Sequence, residues 1–102
     1  MKYVYLIQSL ENSCYKIGIS KNPHKRIRNL QTGNSSELKL VEVYQSELAN
    51  KIEKTLHRRF SHQKREGEWF EMSISDVSSF QNCCEAIENN LRTANRFGYI
   101  FF

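Results

Sequence analysis

The stretches Tyr3-Val4-Tyr5-Leu6-Ile7 and Cys14-Tyr15-Lys16-Ile17-Gly18-Ile19, separated by the polar run Ser9-Leu10-Glu11-Asn12-Ser13, decide the fold. Aromatic and β-branched residues dominate both outer stretches, so they read as two antiparallel strands joined in a hairpin. Asn22-Pro23 follows directly. Asn caps a helix through its side chain, and Pro suits the first helical position. Ile27 and Leu30 give that helix an apolar side, and Gly33 is placed to end it. In such a hairpin Tyr5 and Lys16 can face one side, and Arg26 lies on the first full turn of the helix that returns over it. A phenol, an amine and a guanidinium would then meet on one small sheet, an apparatus suited to cutting a phosphodiester.

Downstream, Leu38 to Tyr44 reads as a third strand, although Leu38 and Leu40 are out of phase with Val41 and Val43. Ser46 is the expected cap of a helix whose Leu48, Ile52, Leu56 and Phe60 recur every four residues as a buried stripe. Ser61 to Gly67 is a basic polar loop, followed by the short extended piece Glu68-Trp69-Phe70-Glu71-Met72. A last helix is expected from Ser75 or Asp76 to about Asn90, with Val77, Phe80, Cys84, Ile87 and Leu91 on its apolar face. The tail Phe97 to Phe102 is apolar enough to be expected to dock.

A chain of 102 residues is one domain and needs neither disulfides nor metals to hold a core. Its 39% hydrophobic and 25% charged content is that of a globular protein. Cys14, Cys83 and Cys84 show no zinc-binding spacing, and neighbours such as Cys83 and Cys84 bridge poorly, so reduced core residues are expected. Met1-Lys2 leads straight into strand-like sequence with no signal-peptide pattern, and the apolar run is too short to span a bilayer. A soluble cytoplasmic protein without membrane partners is the expectation, in the host cytoplasm if the chain is phage- or virus-encoded. Charge is unevenly spread: twelve of the fifteen Lys/Arg but four of the eleven Asp/Glu lie between Lys16 and Arg65. A basic centre of this kind suits a polyanion, and equally a solvated positive face.

Four groups of residues could carry chemistry. In the first, Arg26 can donate two parallel hydrogen bonds to a phosphate, and a cation near Tyr5 eases formation of a phenolate. The alternative is that Tyr5 packs in the sheet and Lys16 lies at its edge. In the second, Glu53 and His57 are four residues apart and share a helix face. A carboxylate there can hold a divalent cation through oxygen, or form an ordinary helix ion pair with a nearby Lys. In the third, Arg58, Arg59, Lys64 and Arg65, with Lys25 and Arg28 on the first helix, supply phosphate affinity without sequence preference. His62 and His24 read as solvated. In the fourth, Glu68 is either a second acid or a surface carboxylate, and Trp69 and Phe70 read as core or lid residues.

Taken in order, these segments resemble the GIY-YIG nuclease superfamily, in particular its small phage- and virus-enriched branch. Tyr3-Val4-Tyr5 stands where the Gly-Ile-Tyr signature would, and Lys16-Ile17-Gly18 stands for Tyr-Ile-Gly. Arg26 and Glu53 match the helix arginine and the metal-binding glutamate. His57, Phe60 and Gly67-Glu68-Trp69-Phe70 resemble that branch's ending. The likeness covers residues 1–73 and leaves 74–102 as an additional helix and apolar tail packed on the same domain. Lys16 replaces the second signature tyrosine, with Tyr15 beside it, and the late asparagine of many members has no clear counterpart.

The resemblance implies an α/β (α+β) fold, a three-stranded antiparallel sheet flanked by helices. The extra C-terminal helix comes from residues 74–102, outside the resemblance, which also implies hydrolysis of a DNA phosphodiester with Mg²⁺ or Mn²⁺ as cofactor. Tyr5, helped by Lys16, would activate water, with His57 in the same catalytic group. Arg26 would bind phosphate, Glu53 would hold the metal and Glu68 would be a second acid. One site per chain implies nicking, unless a homodimer presents two. The competing expectation is a catalytically inactive nucleic-acid-binding module of a phage or mobile element.

Overall fold

The structure, a computed structural model, describes residues 1–96; the apolar tail expected to dock lies outside them. Strands β1 (Lys2–Ser9) and β2 (Cys14–Ser20) form the hairpin, and helix α1 (Pro23–Thr32) follows. Next come β3 (Leu38–Ser46), α2 (Ala49–Arg59), a 3₁₀ turn at Ser61–Gln63, β4 (Trp69–Glu71), α3 (Ile74–Ser78) and α4 (Phe80–Arg96). The fold is α+β, built on one antiparallel sheet in the order β3-β1-β2-β4.

Four strands stand where three were expected. The fourth is the short Trp69–Glu71 piece, which pairs with Cys14–Lys16 at the outer edge of β2. Three residues are too few to show an alternation in sequence, so only the pairing reveals the strand.

Central β1 is covered on both faces, and its consecutive residues Val4, Tyr5, Leu6 and Ile7 are all buried, hence the weak alternation. Val4 and Leu6 pack with Ile17, Ile52, Leu56, Phe70, Phe80, Cys84 and Ile87 beneath α2 and α4. Tyr5 and Ile7 lie on the opposite face with Leu38, against Ile27 and Leu30 of α1 and against Trp69. Tyr15 belongs to the α2 face, pointing away from Lys16.

The phase slip in β3 is a β-bulge. Leu6 pairs with Glu42 but Ile7 pairs with Leu40, so Val41 is the extra residue. Leu38 and Leu40 therefore share the face of Tyr5 and Ile7, while Val41 and Tyr44 share that of Val4 and Leu6.

Helix starts follow their local chemistry. Asn22 Oδ1 accepts from the Lys25 amide at 3.1 Å, with Pro23 next in line. Ser46 does not cap α2: Leu48 occupies that position, and Ser46 Oγ accepts from the Leu48 amide while donating to Glu88 at 2.5 Å. Tyr44 also donates to Glu88, and Arg92 pairs with it, so this carboxylate pins α4 to β3. The Ser46 bond above all, with those from Arg92 and Tyr44, holds the Glu88 carboxyl below its ordinary range against the opposing effect of burial.

The single C-terminal helix expected from Ser75 or Asp76 is two helices. Ser73 and Asp76 form a reciprocal capping box that starts α3, which ends at Ser78. Backbone bonding resumes in α4, so Val77 and Phe80 both reach the core. The three cysteines are unpaired, and burial pushes the Cys84 thiol up to about 12.

Candidate active site

The site lies where the sheet is incomplete. Because β4 ends its pairing at Lys16, the outer edge of β2 beyond that residue faces no strand among the described residues. Ile17 uses both backbone groups there. Its amide donates to the Glu68 carbonyl at 3.4 Å, and its carbonyl lies 2.8 Å from His57 Nε2. A carbonyl only accepts, so His57 Nε2 carries the proton in this contact. The ring is further fixed edge-on against Phe70 at 4.9 Å. Through this anchorage α2, which packs on one face of the sheet, delivers Glu53 and His57 around the open edge of β2.

Tyr5 reaches that edge from the other face. Its cross-strand partner is Gly18, and a Cβ built at Gly18 would lie 2.5 Å from Tyr5 Cζ and closer still to its Oη. Only a glycine lets the ring lie across β2. Burial raises the phenol above its ordinary pKa. Arg26 of α1 opposes this through a hydrogen bond and its charge, whereas Glu68 and Glu53 add to it. Arg26, Glu53 and Glu68 are therefore all close enough to act on the Tyr5 phenol electrostatically.

Glu53, His57 and Glu68 each offer a donor atom within 4.8 Å of the others, and His57 Nε2 stands 3.9 Å from Glu53 Oε2. Burial raises the Glu53 carboxyl, His57 lowers it, and the like charge of Glu68 raises it again. Lys16 pairs with Glu68 at 3.1 Å, and its ammonium lies 5.7 Å from the centre of the Trp69 ring. Two carboxylates beside one half-buried imidazole make an oxygen-rich set that fits a hard divalent cation.

Glu68 and Trp69 owe their place to a tight turn. Gly67 has φ +56°, a left-handed conformation that side-chain-bearing residues avoid, and the Trp69 amide closes the turn on the Glu66 carbonyl at 3.0 Å. A Cβ at Gly67 would meet no neighbour among the described residues, so the penalty of Gly67→Ala is conformational, about 1–2 kcal/mol. Thermal melts should show the variant less stable by about 4–8 °C per kcal/mol. An unchanged melting temperature would contradict that geometry.

Of the residues singled out by sequence, Tyr5, Lys16, Arg26, Glu53, His57 and Glu68 come together around the β2 edge. Lys25 and Arg28 are exposed on α1. The remaining basic residues are dispersed. Arg58 and Arg59 line a separate groove between α2 and α4, where Arg59 contacts Cys83 Sγ at 2.8 Å. Arg65 pairs with Glu71, and Lys64 is exposed. Sequence reasoning missed the Gly18 passage, the Ile17–His57 contact and the Lys16–Glu68 pair. The first had a signal, a glycine directly across a hairpin from a tyrosine. The other two depend on how β4 and α2 meet the outer edge of β2 and had none.

The chain is 27% identical over 79 residues to the "Putative KilA-N domain-containing protein 315L" of Invertebrate iridescent virus 6. That alignment covers 72% of this chain and 34% of the relative, so the chain spans about a third of the relative's length. No solved structure matches. No helix among the described residues is long and apolar enough to cross a membrane. Residues 2–88, from the first strand through most of α4, match the T5orf172 domain, and the chain belongs to that phage-associated domain family.

Proposed function

We propose that the chain is a metal-dependent DNA endonuclease or nickase of GIY-YIG type. One observation carries the reading: the Tyr5 phenol crosses β2 over Gly18 into a cluster that contains a guanidinium and two carboxylates. Simple packing of Tyr5 would not require a glycine opposite it, nor a partly buried carboxylate, Glu53, close enough to act on its phenol. Membership of a phage-associated family and a viral KilA-N domain-containing relative support DNA as the partner.

In this reading Tyr5 acts as a phenolate, which burial disfavours and the Arg26 guanidinium favours; assisted by Lys16 it takes a proton from the attacking water, and Arg26 holds the phosphate oxygens. Water's oxygen joins phosphorus as one P–O bond breaks, and a proton returns to the departing oxygen. Glu53 would hold Mg²⁺ or Mn²⁺ with Glu68 beside it, and His57, anchored on Ile17, lies alongside Glu53 at 3.9 Å in the same catalytic group. Bound metal would supply Lewis-acid stabilisation of the leaving oxygen.

The test is conversion of supercoiled plasmid to open circles in Mg²⁺ or Mn²⁺. Nicking is expected, and it should fall below detection with EDTA or in Glu53→Ala. Nicking that persists in Glu53→Ala would remove Glu53 from the metal site. A second reading, a binding module without catalysis, is favoured by one feature: Lys16 already neutralises Glu68 in an ion pair. Salt-sensitive DNA binding with no cleavage in either metal would decide for it.

A further inference from the structure

A cavity of about 500 Å³ opens on the Tyr5 face of the sheet, beside the candidate active site and sharing Trp69 with it. Its volume is within the range of about 300–1,000 Å³ usual for small-ligand sites. Asn12 and Asn34 bring amide groups and Ser35 a hydroxyl, while Trp69 contributes an indole under the Lys16 ammonium. The charge on its walls is wrong for phosphate. Glu11 and Glu66 line it, and Arg65, the one cation among its described lining residues, is engaged by Glu71. Amides, a hydroxyl and an aromatic surface suit a flat, uncharged, hydrogen-bonding group instead.

We propose that this cavity receives a nucleobase from the strand whose phosphate lies at Arg26 and Lys16. The proposal rests on the nuclease reading for the position of that phosphate. A base can enter only when unstacked, so single-stranded, gapped or mismatched DNA is favoured over continuous duplex, from which a base must first be extruded. Trp69 and Lys16 tie the two places together, because Lys16 pairs across the strands with Trp69 and stands over its ring.

Trp69 is the only tryptophan of the chain, so its fluorescence reports on the cavity directly. The probe is an oligothymidylate, titrated in EDTA so that nothing is cut, with an abasic oligonucleotide of equal length as control. Saturable quenching by oligothymidylate, at least twofold stronger than by the abasic strand, is expected. Ser35→Phe, which fills the cavity from an exposed loop, should weaken oligothymidylate binding at least fivefold in anisotropy without lowering the melting temperature. Equal quenching by the abasic strand would overturn the proposal, as would unchanged affinity in Ser35→Phe or no oligonucleotide binding at all. The two readings fail separately. Base-dependent quenching without metal-dependent nicking keeps the cavity and removes the nuclease; nicking without it does the reverse.

Discussion

Gly18→Ala is expected to abolish nicking, by at least about 100-fold, because the phenol loses its path across β2. The added methyl would fall 2.5 Å from Tyr5 Cζ, well inside contact distance, and the ring is not the free end of a flexible chain. It is buried between β1 and α1, with Ile7, Leu38, Ile27 and Leu30 around it. Either the ring turns away, emptying its place beside Arg26 and Glu53, or the β1–β2 pairing opens. Both outcomes cost stability, about 1–3 kcal/mol for overpacking of this kind.

The cause can be isolated by a second substitution. Tyr5→Leu removes the phenol and should eliminate nicking by itself. In the Tyr5→Leu/Gly18→Ala double variant the steric conflict is gone, so melting should be less perturbed than the single changes added together. Activity should not return. Strict additivity of the melting shifts, or wild-type nicking by Gly18→Ala, would refute the placement of the ring.

The parts of this fold that sequence made legible are those whose cause is local. The β1–β2 hairpin follows from two β-rich runs around a polar turn, and α1 from Asn22-Pro23. The Glu53–His57 face follows from helical spacing. What escaped depends on distant partners. Trp69–Glu71 becomes a strand only by pairing with Cys14–Lys16, more than fifty residues earlier. With it went the Lys16–Glu68 pair and the cavity wall at Trp69. In β3 the bulge at Val41 serves two faces at once, which an alternation pattern registers only as noise. Helix α3 had a visible start in Ser73 and Asp76, but its break from α4 did not show, because Val77 and Phe80 read as one continuous stripe. The basic residues show the opposite limit: close in sequence, Arg58, Arg59, Lys64 and Arg65 diverge because a 3₁₀ turn redirects the chain between them.

Glu53→Gln should make the protein more stable at neutral pH while removing its nicking. The Glu53 carboxyl is held above its ordinary range, chiefly because burial disfavours its charge, with Glu68 adding repulsion and His57 partly compensating. The folded chain thus holds this proton more tightly than the unfolded one. By linkage, stability falls as pH rises from the unfolded pKa, about 4.3, through the higher folded one, and the loss persists at neutral pH. Glutamine keeps the shape without the charge. Measured in EDTA, its melting temperature should exceed the wild type's at pH 7, and the difference should vanish toward pH 4 or below. Adding Mg²⁺ should then raise the wild type's melting temperature, because a ligand of the folded state alone stabilises it, and leave Glu53→Gln unmoved. A variant less stable than wild type at pH 7 would show that Glu53 is held by favourable contacts rather than strained by its surroundings. An equal Mg²⁺ response in both proteins would move the metal elsewhere. If both results come out as expected, the carboxylate that α2 carries around the β2 edge is a structural cost retained for binding a cation.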